Sequence, residues 1–263
     1  MIDIHSHILP KTDDGARSMD EALKMAAIAL ADGIEQMVCT PHLFNGLSQN
    51  PRTAEIEDRV GALQNAIGMS GLVVLPGSEV RATSGIVKQS QTNQLTKLNG
   101  KTYMLVELPT PSVPRGTRSW FTKLKLQGVS PILVHPERNI EIQRNPWIAA
   151  DLVADGVLIQ VTAMSVTGQF GPAAKICADS LLRHNCVHFL ATDAHRPEKR
   201  PPVLSRGRDA AASIIGPDAA RLLVEDNPLA VVNGMPIVPP AVIRYEKPGS
   251  ASGSSFFGRL FRR

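Results

Sequence analysis

The chain has 263 residues, of which 43% are hydrophobic and 20% are charged, as in a soluble globular protein with one sizeable core. It contains no apolar run near the ~20 residues that a membrane helix needs, and its first residues lack the basic and apolar regions of a secretory signal. The net charge of +4 comes entirely from residues 244–263, so the remainder of the chain lacks the basic surface of a general nucleic-acid-binding protein.

Short apolar segments alternate with longer amphipathic segments along most of the chain. The apolar segments predict strands near residues 2–6, 34–40, 72–79, 102–108, 130–135, 157–162 and 187–192. The amphipathic segments predict helices over 18–32, 52–68, 115–128, 146–155 and 172–185, followed by about 203–214 and 217–225.

Local signals support several of these helix ends. Ser18 with Glu21 three residues later has the spacing of a capping box at the start of the first helix. Gly33, Gly128 and Gly156 each follow a helical segment, where a left-handed residue commonly ends a helix.

The alternation of strands and helices predicts an α/β fold with a parallel sheet. Seven strand–helix units favour a closed (β/α)7 TIM-like barrel over an open, doubly wound sheet, and that choice rests on the strand count. We expect one domain over residues 1–245 and a flexible tail over 246–263, because residues 247–255 are rich in Gly and Ser.

Side chains that bind metal ions occur at the ends of most of these predicted strands. The first strand runs into His5 and His7, with Asp14 in the loop beyond, and later strand ends supply His42, Glu79, Glu107, His135, Asp193 and His195. Alternate strand residues face the same way, so His5 and His7 point together, as do Asp193 and His195. In a parallel barrel all carboxyl ends of the strands open at one mouth, where we expect these nine side chains to meet.

Each element alone is weak evidence, since a His-x-His pair or a glutamate at a strand end is more often structural or solvated. Five of the seven histidines nevertheless lie at strand ends, which a scattered surface population would not do. The other two, His184 and His188, are interpreted as structural. Imidazole and carboxylate ligands without thiolates favour Mn²⁺, Fe²⁺ or Zn²⁺ and disfavour a closed structural zinc site.

These segments together resemble the PHP (polymerase and histidinol phosphatase) superfamily. Its four motifs correspond to His5 with His7, Asp14 with His42, Glu79 with His135, and Asp193 with His195. More narrowly, the chain resembles the manganese-dependent protein-tyrosine phosphatases of bacterial capsule and exopolysaccharide operons. That likeness extends from residue 1 to about 230 and includes segments 2–15, 77–81, 105–109, 135–138, 162–171 and 200–202.

The resemblance implies a PHP-type metallophosphatase with a distorted (β/α)7 TIM-like barrel holding three divalent metal ions, usually Mn²⁺, with Fe or Zn as alternatives. It assigns the ligands to the ions as follows: His5, His7, Glu79 and Asp193 to the first, Glu79, Glu107 and His135 to the second, and Asp14, His42 and His195 to the third. The implied substrate is phosphotyrosine in the tail of a cytoplasmic bacterial tyrosine autokinase that controls polysaccharide synthesis and export.

The expected chemistry is hydrolysis of a phosphoric monoester by a metal-activated hydroxide. A water between two cations has its pKa lowered towards neutrality, and the cations also stabilise charge on the phosphoryl oxygens. Arg138 and Arg200 are the candidate catalytic residues, as planar donors to those oxygens, and the alternative for each is a salt bridge at the rim. Phenolate leaves more readily than an alkoxide, so no strong general acid is required.

The three cysteines are not expected to carry chemistry. Cys39, Cys177 and Cys186 are odd in number and irregularly spaced, which argues against a disulfide framework and favours a reducing cytoplasm. Cys177 and Arg183 have the Cys-x5-Arg spacing of cysteine-dependent phosphatases, but the segment lacks glycine and has a helical pattern. We therefore interpret Cys177 as an inert core or interface residue.

The tail places apolar and basic residues close together over 256–263. We expect peripheral contact with an anionic membrane surface or a membrane-bound kinase, and the alternative is a terminus without function.

Two other functions remain open on the sequence. PHP enzymes that act on small phosphates, such as histidinol phosphate or a nucleotide, share the same ligands. A catalytically idle metal-binding scaffold for polysaccharide assembly is disfavoured, because the ligand set is complete.

Overall fold

The structure is a computed structural model that describes residues 1–92 and 94–246. The predictions for the tail over 246–263 therefore lie outside the described residues, apart from Glu246.

Nine strands within the described residues form two parallel sheets. They are β1 (Ile2–Ser6), β2 (Gln36–Cys39), β3 (His42–Leu43), β4 (Val73–Pro76), β5 (Glu79–Arg81), β6 (Tyr103–Glu107), β7 (Ser130–Val134), β8 (Leu158–Thr162) and β9 (Phe189–Ala191). One sheet has the order β1-β2-β4 and the other the order β3-β5-β6-β7-β8-β9, with every pair parallel. The predicted α/β fold is confirmed.

The strand count differs from the expected seven because two predicted strands are interrupted. The segment predicted over 34–40 ends at Cys39 as β2, and β3 follows separately after Pro41, which cannot donate a ladder hydrogen bond. The segment predicted over 72–79 is divided between β4 and β5. Each interruption moves the chain into the second sheet, where His42 and Glu79 become direct register partners.

Eleven α-helices lie between and after the strands in the described part of the chain. They are α1 (Met19–Ala31), α2 (Thr53–Ile67), α3 (Ile86–Gln89), α4 (Thr117–Leu126), α5 (Ile140–Arg144), α6 (Trp147–Ala154), α7 (Ala163–Val166), α8 (Pro172–Arg183), α9 (Ser205–Ile215), α10 (Pro217–Leu222) and α11 (Asp226–Asn233). All seven predicted helices are present. Those missed are α3, α5 and α7, which are too short to show a helical period, and α11.

The predicted helix ends follow the expected local chemistry with one difference. Ser18 caps α1, since the Glu21 amide donates to its Oγ at 3.2 Å. The Glu21 carboxylate, however, accepts from the Arg17 amide at 2.8 Å, so the second bond of a capping box is displaced by one residue. Gly33, Gly128 and Gly156 all have positive φ, as predicted.

The first and last strands lie side by side. The Asp193 amide donates to the His5 carbonyl at 2.9 Å, and the His7 amide donates to the Ala194 carbonyl at 2.8 Å. This pairing brings the carboxyl ends of β1 and β9 together.

The apolar core of the described residues is buried in two clusters. No helix of the described residues is long and apolar enough to cross a membrane.

His188 should make the stability of the fold depend on pH. Its side chain is 1% exposed, its Nδ1 accepts from the Ile159 amide at 2.9 Å, and burial lowers its pKa from 6.5 to about 4. The unfolded chain therefore binds a proton between pH 6.5 and 4 that the folded chain does not bind. Stability present above pH 6.5 is lost as the pH falls, by up to about 3 kcal/mol from this residue.

Urea unfolding at several pH values between 4 and 7 measures this dependence. His188→Asn keeps an acceptor for the Ile159 amide but cannot be protonated, so its free energy of unfolding should vary less steeply with pH than that of the wild type. Identical slopes in the two proteins would show that His188 does not titrate as described. Other titrating groups are common to both proteins and cancel in the comparison.

Candidate metal centre

The nine predicted ligands form four overlapping groups, with His42 and Glu79 at the starts of β3 and β5, Asp14 in the loop after β1, and the others at or just beyond the carboxyl ends of β1, β6, β7 and β9. The groups are His7, Asp14, His42 and His195; His5, His7 and Asp193; His5, Glu79 and His135; and His42, Glu79 and Glu107. Within each group one ligand atom from every residue lies within 4.8 Å of the others. Eight of the nine residues are at most 9% exposed, whereas the Asp14 side chain is 43% exposed.

The grouping differs from the three ligand sets that the family resemblance implied. His7 joins Asp14, His42 and His195, and His42 also lies beside Glu79 and Glu107. The second difference follows from the register pairing of β3 with β5, which places His42 next to Glu79.

Glu79 is the carboxylate that most of the histidines approach. Its two oxygens lie near four imidazole nitrogens, those of His42 at 2.7 Å, His135 at 2.8 Å, His5 at 3.4 Å and His7 at 3.5 Å. Burial by itself would raise the pKa of Glu79, but the surrounding imidazoles hold that pKa well below its usual range. Glu79 is therefore an ionised acceptor at the centre of the cluster.

The donor set fits divalent cations. Glu79 Oε2, Glu107 Oε2 and His42 Nδ1 are buried and form no hydrogen bond, although the Glu79 and His42 atoms are 2.7 Å apart and Glu107 Oε2 forms an ion pair with Arg81 Nη2 at 3.2 Å. All three belong to one of the four groups. Burial and the nearby charge of Glu79 raise the pKa of Glu107 to about 7. A cation between the two carboxylates would relieve the repulsion between their negative charges.

Two residues that the sequence did not reveal orient the first two histidines. Asp13 Oδ2 lies 2.7 Å from His7 Nδ1 and also accepts from the His42 amide at 3.0 Å. Gln160 Oε1 lies 2.9 Å from His5 Nδ1. Such partners fix the tautomer and ring direction of a metal-binding histidine. The sequence signal available for Gln160 was a polar amide side chain within a mostly apolar strand. For Asp13 the signal was its position next to the predicted ligand Asp14.

Two of the site residues have a left-handed backbone conformation. His135 and Asp193 both have positive φ, 36° and 51°, a conformation that non-glycine residues seldom adopt. At Asp193 the preceding Thr192 is held by Asp3, which accepts from the Thr192 amide at 3.0 Å and from its hydroxyl. Buried bonds on both sides maintain the unfavourable backbone, as is common at functional sites.

Gly15 permits the close approach of the loop that carries Asp13 and Asp14. A Cβ atom at this position would lie 2.0 Å from the His7 carbonyl oxygen. The Gly15 amide also donates to Asp13 Oδ1 at 3.0 Å, which helps to hold the carboxylate against the His7 ring.

Arg138 and Arg200 converge on the opposite side of Asp193 from the histidines. Arg138 Nη1 donates to Asp193 Oδ2 at 2.6 Å, and Arg200 Nη2 donates to the same oxygen. Burial by itself would raise the pKa of Asp193, but Arg200 and the neighbouring His5 hold that pKa well below its usual range. The two side chains are 30% and 22% exposed, so they face the mouth of the site.

Cys177 is placed as predicted, in the middle of a helix. It lies in α8, is 3% exposed, and burial raises the pKa of its thiol to about 12.

A separate cavity of about 990 Å³ lies near the start of β7 and β8. His188 and Asp151 line it, too few metal-type side chains for a cluster.

The sequence matches a family model described as capsular polysaccharide synthesis, CpsB/CapC, over residues 1–233. The tyrosine-protein phosphatase YwqE of Bacillus subtilis is 38% identical over 202 residues, which cover 76% of this chain and 79% of YwqE. The putative tyrosine-protein phosphatase CapC of Staphylococcus aureus is 33% identical over 78% of this chain and 81% of its own length.

Solved structures agree with these relationships. One comes from the crystal structures of YwqE from Bacillus subtilis and CpsB from Streptococcus pneumoniae, which are described as unique metal-dependent tyrosine phosphatases. It superimposes with a TM-score of 0.89 at 32% identity. It covers 94% of this chain and 100% of that one. A variant of an organophosphorus hydrolase, at 12% identity and a TM-score of 0.56 over 88% of this chain and 92% of that one, shares the fold alone. The chain belongs to the CpsB/CapC family of capsular polysaccharide synthesis proteins.

Proposed function

We propose that this protein is a metal-dependent protein-tyrosine phosphatase. The observation that carries the proposal is the convergence of nine imidazole and carboxylate side chains beside a pair of arginines at one mouth of the fold. The relatives named tyrosine-protein phosphatases support the reaction class, and one solved relative is described as metal-dependent.

The nine residues would hold three divalent ions, with Mn²⁺ favoured and Fe or Zn as alternatives. Four carboxylates, those of Asp14, Glu79, Glu107 and Asp193, would balance much of their charge, and the imidazoles supply neutral nitrogen ligands. Divalent ions bound there would lower the pKa of a coordinated water and stabilise negative charge on the phosphoryl oxygens.

The chain's own residues would bind and orient the phosphate. Arg138 and Arg200 each use one nitrogen on Asp193, which leaves other N–H groups of both guanidinium ions for substrate oxygens. Arg200 Nε is buried without a partner, as expected of a donor held ready for an acceptor. The leaving phenolate has a parent pKa near 10, so the reaction does not depend on a strong general acid.

We infer that the physiological substrate is the phosphotyrosine tail of a bacterial tyrosine autokinase in the cytoplasm. The family description links the chain to capsular polysaccharide synthesis, in which such a kinase would be the regulated partner. Peripheral membrane contact through residues 247–263 remains a proposal that rests on their aromatic and basic composition.

We also infer that residues 1–245 form one domain and that the two sheets join as a distorted seven-unit barrel. Support comes from the hydrogen bonds between the ends of β1 and β9, and from the division of two strand units between the sheets.

Metal binding should depend on Asp13 as well as on the ligands themselves. Asp13→Asn should lower Mn²⁺ affinity roughly 10- to 100-fold, because His7 loses the carboxylate that orients its ring. Glu79→Gln should have a larger effect and lower the number of ions bound. Calorimetric titration of metal-free protein with Mn²⁺ measures both effects, and Asp58→Asn, at an exposed carboxylate, is the matched control. Equal Mn²⁺ binding by all three variants would place the metal site elsewhere.

The substrate class is tested with a phosphotyrosine peptide, histidinol phosphate and a nucleotide, each assayed with Mn²⁺ and with EDTA. We expect turnover of the peptide with Mn²⁺, loss of that turnover in EDTA, and recovery when excess Mn²⁺ is added. Cys177→Ala should retain full activity, because its thiol is buried and protonated. Turnover of the small molecules alone would assign the chain to the other PHP phosphoesterases, and activity that persists in EDTA would contradict metal dependence.

Replacing either arginine by lysine should impair catalysis, since lysine keeps the charge but not the planar donor geometry. For Arg138→Lys and Arg200→Lys we expect kcat/KM to fall on the order of 100-fold. Steady-state kinetics with the phosphotyrosine peptide measure this loss. Arg118→Lys is the matched control, because Arg118 is an exposed arginine that pairs with Asp155. An unchanged kcat/KM in both site variants would leave the two arginines as rim salt bridges.

A further inference from the structure

The loop after β8 brings an aromatic ring to the metal site. β8 supplies none of the nine ligand-type residues, but the chain continues through α7 and a short turn to Phe170. This residue is half-buried and lies against both arginines of the site.

One ring contacts two cations. The guanidinium carbon of Arg138 lies 4.7 Å from the centre of the Phe170 ring, and that of Arg200 lies 5.4 Å from it. These distances fall within the range of cation–π attraction. Both guanidinium ions also donate to the same oxygen of Asp193, so two like charges are held close together.

Asp193 alone does not define how the two guanidinium planes are oriented. Each makes a single hydrogen bond to one shared oxygen, a contact about which a planar group can rotate. A neighbouring aromatic face restricts that rotation, because the ring attracts both cations and excludes water from one side of them. Phe170 thus supplies the second contact that each arginine needs for a defined direction.

The turn that carries Phe170 is itself well held. The Gln169 amide donates to the Met164 carbonyl at 2.8 Å, and the Gly171 amide donates to the Gly168 carbonyl at 3.0 Å. Gly171 has a φ of 89°, which favours glycine, and leads directly into α8. Lys175 of α8 donates to the Val166 carbonyl at 3.2 Å and closes the turn.

We propose that Phe170 is a positioning residue that orients Arg138 and Arg200 as a pair and thereby sets the affinity of the site for a phosphate group. The proposal rests on the proposed function of the two arginines as phosphate donors. Phe170 acts through them and has no part in the chemical step.

The test measures binding of inorganic phosphate to the full-length, Mn²⁺-loaded protein by calorimetry, which requires no turnover. Phe170→Leu keeps an apolar side chain but removes the aromatic face, and should weaken phosphate binding roughly fivefold to twentyfold through the loss of two cation–π contacts. Phe170→Tyr and Phe170→Trp keep an aromatic face and should restore most of the affinity. The matched control is Phe121→Leu, the same substitution at a buried residue of α4, which should leave phosphate affinity unchanged.

A double-mutant cycle separates positioning from a general structural effect. In the Arg138→Ala, Arg200→Ala background, Phe170→Leu should cause no further loss of phosphate affinity, since the contacts through which it acts are gone. In turnover assays Phe170→Leu should raise KM in step with the phosphate dissociation constant and change kcat less, with the number of bound Mn²⁺ ions unchanged.

Wild-type affinity in Phe170→Leu, or an equal loss in the double-arginine background, would overturn the role of Phe170 while leaving the phosphatase proposal intact. A wild-type protein that binds phosphate but hydrolyses no phosphotyrosine would contradict the proposed substrate, and the Phe170 comparison would still be decisive. A wild-type protein that binds no phosphate would overturn the role of Phe170 in phosphate affinity, and turnover of the phosphotyrosine peptide would still decide the phosphatase proposal.

Discussion

Glu79 carries a negative charge in a buried position because imidazole rings surround it, and the arrangement of the site depends on that contact. Four imidazole nitrogens lie between 2.7 and 3.5 Å from its carboxylate oxygens. A buried carboxylate without such partners would cost several kcal/mol and would take up a proton instead. The position of Glu79 follows from the break between β4 and β5, which transfers the chain to the second sheet and sets Glu79 opposite His42. The interruption between β4 and β5 therefore determines where the cluster forms.

Strands and loops contribute different groups to the site. Strand ends carry the ligand-type residues, and strands are rigid enough to fix the direction of short side chains such as those of His and Asp. Loops carry the groups that are proposed to bear on the substrate: Arg138 follows β7, Arg200 follows β9, and Phe170 follows β8. Asp13 and Gln160 lie behind the histidines, so the ring orientations are set by buried hydrogen bonds. Because the two sets lie on different elements, changes in the loops after β7, β8 and β9 would alter the rim and not the cluster.

The sequence predicted the α/β class, seven of the eleven helices and the location of the nine ligand-type residues, because these features depend on local patterns. Alternation of strand faces and the common mouth of parallel strands are sufficient to place His5, His7 and Asp193 together. It did not predict β3 as a separate strand, because two residues are too few to show a period, or the grouping of His42 with Glu79, which depends on register. It also missed Phe170 as a neighbour of the arginines. That contact joins residues 30 or more positions apart, which no local pattern reveals.

Asp193 connects the two halves of the site, and its geometry shows why the strained backbone there is retained. One carboxylate oxygen lies 3.2 Å from His7 Nε2 and 3.5 Å from His5 Nε2, and the other accepts from both arginines. Asp193 has a positive φ, although the chain beside it still pairs with β1 through Ala194. The cost of that conformation, of order 1–3 kcal/mol, is offset by the bonds between Asp3 and Thr192 and by the bond from the Asp193 amide to His5. The same carboxylate thus fixes the distance between the ligand cluster and the arginine pair, and a phosphate that contacts both would be held at a separation set by one side chain.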